Sequence, residues 1–429
     1  MLETKAILAI VIFVCIYVLI ISEKIQRTVI ALFGAMIMIL LGIITQDQAI
    51  HHIDFNTIGL LTGMMIIVNI TAETGLFNYL AIWAVKKVKA NPIKLLLALA
   101  TLTAVCSAFL DNVTTVLLTV PITFSITSQL ELPVYPYLVA QILSSNIGGT
   151  ATLIGDPPNI MIGSAVKQLD FITFLDNLGV VCTIIFIITM ALMIFIYRKQ
   201  LHTSNELKAK IMSLDEKAQL KSPRLMKKCL FVLAITVAGF TIHGDLGLES
   251  ATIAMSGACL LMLISMSGRE KIIARVLSNL EWLAIFFFAG LFILVGGLVE
   301  TGVIKMAAEK VMSLTQGNLP LTTMLVLWVS AIASSFVDNI PFVATMIPMI
   351  KDMGSMGITN LEPLWWALSL GACLGGNGTI VGASANVIVI GMAAQHGRPI
   401  KFLEFMKIAF PMMILSIIIS SLFLFIVYL

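Results

Sequence analysis

The sequence predicts an all-α polytopic membrane protein made of two inverted repeats, each with five transmembrane helices, a re-entrant hairpin and a broken helix. Three observations predict it. Of the 429 residues, 59% are hydrophobic and 11% charged, against roughly 25% charged in soluble domains. The stretch Ser107-Ala108-Phe109-Leu110-Asp111-Asn112 returns as Ser334-Ser335-Phe336-Val337-Asp338-Asn339, 227 residues later. Lys and Arg alternate between connections in the way the positive-inside rule requires.

The same offset pairs Glu73-Thr74-Gly75 with Glu300-Thr301-Gly302, Pro121 with Pro348, Gly148-Gly149 with Gly375-Gly376, Gly155 with Gly382 and Asn159 with Asn386. One ancestral unit is used twice. Apolar runs near the 20 residues or so needed to span a bilayer fall at 6–22, 27–44, 57–84, 136–167 and 171–197. In the second copy they fall at 229–244, 250–267, 283–312, 363–394 and 403–429. The first run reads as a membrane helix, because Met1 to Lys5 lacks the basic region and small-residue cleavage site of a signal peptide.

Two more apolar regions, 93–129 and 320–350, are interrupted by Asp-Asn. Loop charges decide how they run. With both as hairpins, one side receives Lys24 and Arg27, then Lys86, Lys87, Lys89 and Lys94, then the linker 198–228 with nine Lys/Arg against three Asp/Glu, and later Arg269, Lys271, Arg275, Arg398 and Lys401. The other side receives 45–56 with Asp47 and Asp54, then Asp170, Asp176, Asp245 and Glu249, with Lys305 and Lys310 as exceptions. A single crossing at 93–129 would move the basic linker away from Lys86–Lys94. The hairpins therefore give a first repeat over 1–197 (hairpin 93–129, broken helix 136–167) and a second over 229–429 (hairpin 320–350, broken helix 363–394). Five crossings per half invert the second copy and place both termini outside the cell (inner) membrane, with linker 198–228 in the cytoplasm.

The interruptions carry the chemistry. A carboxylate at bilayer depth costs about 2.5 kcal/mol or more and marks a functional site by default. Asp111 precedes Asn112, Thr114 and Thr115; Asp338 precedes Asn339. Either aspartate could simply cap its second hairpin arm, but Ser or Asn would cap without a charge, and both copies use Asp. The second interruption contains Asn146, Gly148, Gly149, Thr152, Asp156-Pro157-Pro158 and Asn159; its echo contains Gly375, Gly376, Asn377, Thr379 and Asn386. Glycines and prolines break the helix there and free carbonyls that can hold a hard cation such as Na⁺. Asp156 before Pro157 fits a helix cap as well as a ligand, and Ala383 stands in its place in the other copy. Glycine termination accounts for Glu73 and Glu300. His51-His52-Ile53-Asp54 reads as a solvated outer loop rather than a metal site.

Other classes are excluded by what the sequence lacks. It has no Gly-x-x-x-x-Gly-Lys-[Ser/Thr] phosphate loop, so ATP drive would need a separate ATPase subunit, and no His-Glu-x-x-His zinc motif. Ile154-Gly155-Asp156 resembles an intramembrane aspartyl protease motif, but Leu153 replaces that family's glycine. The six cysteines (Cys15, Cys106, Cys182, Cys229, Cys259, Cys373) show no Cys-x-x-Cys spacing and read as small core residues. Short basic loops do not suit nucleic acid.

Asp111-Asn112-Val113-Thr114-Thr115 and the run from Ser145 to Asn159 resemble the ion transporter superfamily, in particular the ArsB/NhaD group on the branch with the pigmentation P protein. The resemblance covers the whole chain. It implies an outer scaffold, a mobile part carrying hairpins and broken helices, a homodimer with elevator-like motion, and extrusion of arsenite or antimonite, Na⁺/H⁺ exchange or anion transport. Dicarboxylate carriers of that superfamily have Ser where this chain has Asp111 and Asp338. With no Lys or Arg expected near either tip, a di- or tricarboxylate would be repelled. The expected function is proton-coupled arsenite/antimonite antiport without an enzymatic cofactor. Asp111 and Asp338 would titrate (or hold Na⁺), and Asn112, Thr114, Thr115, Asn339, Thr152, Asn159, Thr379 and Asn386 would bond the substrate. Asn146, Asn377 and the backbone at Gly148-Gly149 and Gly375-Gly376 would complete the cavity. Na⁺/H⁺ exchange at the same aspartates is the alternative, and a channel driven by a separate ATPase the alternative of another class.

Overall fold

The computed structural model describes residues 2–22, 24–213, 215–242, 246–266 and 270–429; Asp245 and Arg269, used above in counting loop charges, lie outside them. All regular structure among the described residues is helical. In the first repeat the helices are α1 (Leu2–Ile21), α2 (Arg27–Leu40), α3 (Gln46–His52), α4 (Phe55–Glu73), α5 (Leu76–Lys87), α6 (Pro92–Phe109), α7 (Asn112–Gln129), α8 (Tyr135–Thr150), α9 (Pro157–Ala165) and α10 (Phe171–Tyr197). After α11 (Asn205–Met212) in the linker, the second repeat has α12 (Pro223–Ile242), α13 (Ser250–Met266), α14 (Glu270–Ser278), α15 (Trp282–Glu300) and α16 (Val303–Thr315). It continues with α17 (Leu319–Phe336), α18 (Asn339–Ser355), α19 (Glu362–Gly375), α20 (Ser384–Gln395) and α21 (Phe402–Val427). Eight of the described helices are long and apolar enough to cross a membrane.

The repeat is visible helix by helix. α4 and α15 run over 55–73 and 282–300, and α7 and α18 both start directly after their aspartate. The repeats interlock: α4 packs on α13, α2 on α15, α9 on α18, α7 on α20 and α8 on α19. Small residues make this possible, as expected where helices associate by close packing rather than by a hydrophobic drive. A Cβ on Gly63 would stand 2.6 Å from the Ala254 carbonyl carbon, and one on Gly290 2.8 Å from that of Ala31. Within each copy the first hairpin arm lies on the broken helix at the same register. A Cβ at Gly148 would meet the Ala104 carbonyl oxygen at 2.2 Å, and one at Gly375 that of Ala331 at 2.6 Å.

Four expectations change. The runs 57–84 and 283–312 are each two helices, not one span, because Gly75 (φ 82°) and Gly302 (φ 76°) take the left-handed conformation that ends α4 and α15. Residues 46–52 form helix α3 with a Thr45–Gln48 capping box instead of a loop. His52 is bonded rather than solvated: its Nε2 stands 3.0 Å from Glu300 Oε1, whose carboxylate also accepts from Gln48 Nε2 at 2.6 Å. Cys15 and Cys259 are exposed on the apolar outer surface, so the core reading holds for Cys182, Cys229 and Cys373 and fails for those two.

The linker is docked to the α4–α5 break. The Lys221 amide donates to Thr74 O at 2.9 Å, and Lys86 Nζ bonds Glu216 Oε2 at 2.5 Å. That ammonium holds the Glu216 carboxyl below the usual glutamate value. A lowered folded value means the pair contributes above the ordinary glutamate range and is lost as pH falls through the lowered value. Lys86→Met should therefore raise hydrogen exchange over 215–221 at neutral pH to the level the native chain reaches in acid. Unchanged exchange would reject docking through this pair.

Candidate functional site: the hairpin tips

Each hairpin turns in two residues. The arm α6 ends at Leu110, whose extended backbone carries the chain to Asp111 and into α7. Asp111 does cap α7: its carboxylate accepts from the Thr114 amide at 2.7 Å and from the Thr114 hydroxyl. Asp338 accepts from the Ile340 amide at 3.3 Å, closing α18 in the same way. Capping and chemistry therefore coexist.

The two tips meet different partners. Asn339 Nδ2 donates to Asp156 Oδ1 at 3.2 Å, across the repeats. Asp156 occupies the N-cap position of α9, but its carboxylate bonds none of the helix amides, which removes the side-chain capping explanation. It is fully buried, and its Oδ2 has no hydrogen-bond partner. The Cys373 thiol stands beside it and lies 3.5 Å from Asn159 Oδ1. Asn112, the mate of Asn339, donates instead to Asn146 Oδ1 at 3.2 Å.

Asp338 carries a salt bridge from Arg27 Nη1. The Ser384 hydroxyl donates to the same oxygen at 3.0 Å and accepts from Arg27 at 2.9 Å. This corrects the expectation that no Lys or Arg lies near a tip. Charge counting put Arg27 in a connection, but it is the first residue of α2, whose N-terminus points at the second hairpin. At Asp338 the guanidinium stands where Na⁺ was expected.

The broken backbone is also filled differently from expectation. Asn159 Nδ2 donates to the carbonyls of Thr150 and Thr152 at 3.0 and 2.9 Å, and Asn386 Nδ2 to those of Gly376 and Thr379 at 2.7 and 2.9 Å. Thr152 and Thr379 hydroxyls close on the carbonyls of Ala108 and Ser335. The carbonyls expected to hold a cation thus hold amides, and these four side chains bond the backbone of the breaks and of the adjoining hairpin arms. Asn146 Nδ2 donates to Asn377 Oδ1 at 2.9 Å and to Asn386 Oδ1 at 3.0 Å, joining the two breaks. Thr115 is buried with an unpartnered hydroxyl.

What remains open is a cavity of about 70 Å³ lined by Asp111, Asn112, Asp156, Asn339, Arg27 and Glu281, with Leu61, Met65 and Phe288 as its apolar wall. A wider vestibule of about 370 Å³ reaches Asp338 and Arg27 from the Ile20–Gln26 side. Among the described residues no three His, Cys, Asp or Glu side chains converge to hold a metal ion. Three carboxyls and one guanidinium line this space. Sequence reasoning missed Glu281 and Arg27. The 227-residue register contained the signal for the first, since it aligns Glu281 with Asp54, each the residue before its helix.

The citrate transporter family profile (CitMHS) matches residues 17–371. An uncharacterized transporter of Mycobacterium tuberculosis is 39% identical over 429 residues, 99% of each chain. The 46 kDa membrane protein of Mycobacterium leprae is 40% identical over 99% of each. The P protein of Homo sapiens is 34% identical over 96% of this chain and 59% of its own length. Among solved structures, the Alcanivorax borkumensis YdaH transporter gives a TM-score of 0.58 at 14% identity over 88% of this chain and 86% of that one. Neisseria gonorrhoeae MtrF, described with antimetabolite efflux pumps, gives 0.57 at 13% over 99% and 94%. Both likenesses concern the fold.

Proposed function

The chain belongs to the citrate transporter family and is a multi-span membrane transporter; from that premise we propose proton-coupled antiport of a small uncharged inorganic species, arsenite or antimonite first among them. The carrying observation is the cavity between the tips, small and lined by Asp111, Asp156 and Glu281 against one guanidinium. A multiply charged carboxylate substrate would meet three acidic groups in a space of low dielectric, where like charges repel strongly. A neutral trihydroxide can instead take hydrogen bonds from Asn112 and Asn339 and donate its own O–H groups to the ionised carboxylates of Asp111 and Asp156, the oxygens a proton would otherwise occupy. Proton and substrate then compete for the same groups, which is what exchange requires. The ArsB/NhaD likeness of the Asp111 and Asn146–Asn159 motifs supports this substrate class over the one in the family's description. We place the protein in the cell membrane with linker 198–228 in the cytoplasm, and as a homodimer, on the loop charges and the family resemblance.

The second reading is Na⁺/H⁺ exchange, favoured by the excess of acidic groups in the cavity. Purified protein in liposomes under an imposed pH gradient separates them. Uphill arsenite or antimonite movement with opposite proton flux is expected. Proton flux evoked by Na⁺ but not arsenite would establish the second reading, flux evoked only by citrate would overturn both, and the absence of uphill movement would favour a channel needing a separate ATPase.

A further inference from the structure

Three helix faces lead out of the inner cavity, away from Glu281. On α9, Pro157 lines the cavity, and Met161, Ser164 and Ala165 line a separate pocket of about 420 Å³. On α15, Phe288 lines the cavity, and Phe292, Val295 and Val299 line that pocket. On α18, Ile340 lines the cavity, and Ala344, Ile347 and Lys351 line the pocket. Each set advances by three or four residues, the interval that keeps side chains on one face of a helix. Pocket and cavity are therefore two ends of one seam between α9, α15 and α18. The seam is shut, since Met161, Phe288, Phe292, Ile340 and Ala344 are buried and the two spaces have no lining residue in common. On the Glu281 side, by contrast, the cavity shares Arg27, Ser384 and Ile388 with the vestibule. It adjoins one opening and is sealed from the other.

Hydrogen bonds between α9 and the start of α4 stand at the sealed end. The Ser164 hydroxyl donates to Asp54 Oδ1 at 2.9 Å and accepts from Asn56 Nδ2 at 3.0 Å. Asn56 is fixed in turn by the Ala251 amide, which donates to its Oδ1 at 2.9 Å. The 227-residue register names the equivalent positions at the other end: Asp54 aligns with Glu281, Asn56 with Leu283 and Ser164 with Gly391. Glu281 makes no capping bond, and nothing lies within 4 Å of a Cβ placed on Gly391. Because the repeats are inverted, Asp54 and Glu281 mark opposite faces of the molecule.

We propose that the pocket beside Asp54 is the second mouth of the transport route, held shut by a latch from Ser164 to Asp54 and Asn56. The inference rests on the chain being a transporter and not on which substrate it carries. A transporter must reach its binding cavity from each face in turn, and inverted repeats supply two equivalent routes to it. One route is latched here and its mate is not, so the latch sets which mouth is open. A hydroxyl bonded to a carboxylate holds more firmly than a neutral pair, yet this bond is lost by parting α9 from α4 alone. Since α9 also packs on α18 and α19, its release lets α9 and α18 shift together against α15, and the seam opens.

The test reads access at both ends. The six native cysteines are replaced, and modification by a small cationic methanethiosulfonate is followed in nanodiscs, where both faces are reachable. Ala344→Cys reports the sealed seam, and Ala284→Cys reports the cavity wall on the Glu281 side. Ser164→Ala should speed modification at position 344 about tenfold or more, a change of about 1.4 kcal/mol in the closing equilibrium. The rate at position 284 should stay the same or fall. Ser164→Thr, which keeps the hydroxyl, should retain the slow native rate at position 344. An unchanged rate there in Ser164→Ala would overturn the proposal. So would a fast rate in Ser164→Thr, or a rise at both positions together, which is general loosening and not release of a latch. No substrate enters this measurement, so its failure leaves the antiport reading untouched, and failure of antiport in liposomes leaves the latch standing.

Discussion

Asp156→Asn is expected to abolish coupled transport, by about a hundredfold or more, as removal of a proton-carrying group does, while leaving the protein folded and equally or more stable. Both halves of this expectation come from one carboxyl. Its Oδ1 accepts from Asn339, and an asparagine oxygen can accept that bond unchanged. Its Oδ2 is buried without a partner, so the native group carries an unsatisfied atom costing about 1–3 kcal/mol. An amide there loses the ability to ionise and gains a donor facing the Cys373 sulfur. Proteins keep such a group against stability where function needs it. Melting and reconstituted transport measured on the same preparation decide: retained coupling would remove Asp156 from the mechanism, and a lower melting temperature would make it structural.

A large effect on stability should come from Gly148→Ala. The added Cβ meets the Ala104 carbonyl oxygen at 2.2 Å, a backbone atom that cannot move without separating α6 from α8. Overpacking of this kind costs about 1–3 kcal/mol and sometimes more, and here it displaces the hairpin that positions Asp111, so transport should fall with it. Gly391→Ala is the matched control: nothing lies within 4 Å of its Cβ position, and helix propensity favours alanine by about 1 kcal/mol. If the two variants melt alike, close backbone packing is not what holds the hairpin.

The architecture was legible because duplication leaves a register. Asp111 and Asp338, Gly148 and Gly375, and Gly75 and Gly302 recur at one spacing and serve the same structural purpose in both copies. Cap positions at both tips followed from local chemistry. The site was legible only in part, since a register predicts likeness and the site depends on difference. Arg27 aligns with Ala254 and Asp156 with Ala383, and nothing in a run of apolar residues tells which neighbour an isolated charge will find. The carbonyl partners of Asn159 and Asn386 were not legible for a related reason: a helix break frees carbonyls, but its own asparagine, two turns on, is the nearest donor.

The hydrogen bonds from Asn146 to Asn377 and Asn386 tie the halves at their centre, and they have a consequence for ancestry. Before duplication, the same contacts could only have joined two identical subunits inserted in opposite senses, and each residue at the axis would then have faced its own copy. An acid at position 156 would have been present twice, and an arginine at position 27 would have met both tips. Only once the gene was duplicated could the two copies differ, so the division of labour between an acidic end and an arginine-paired end follows duplication.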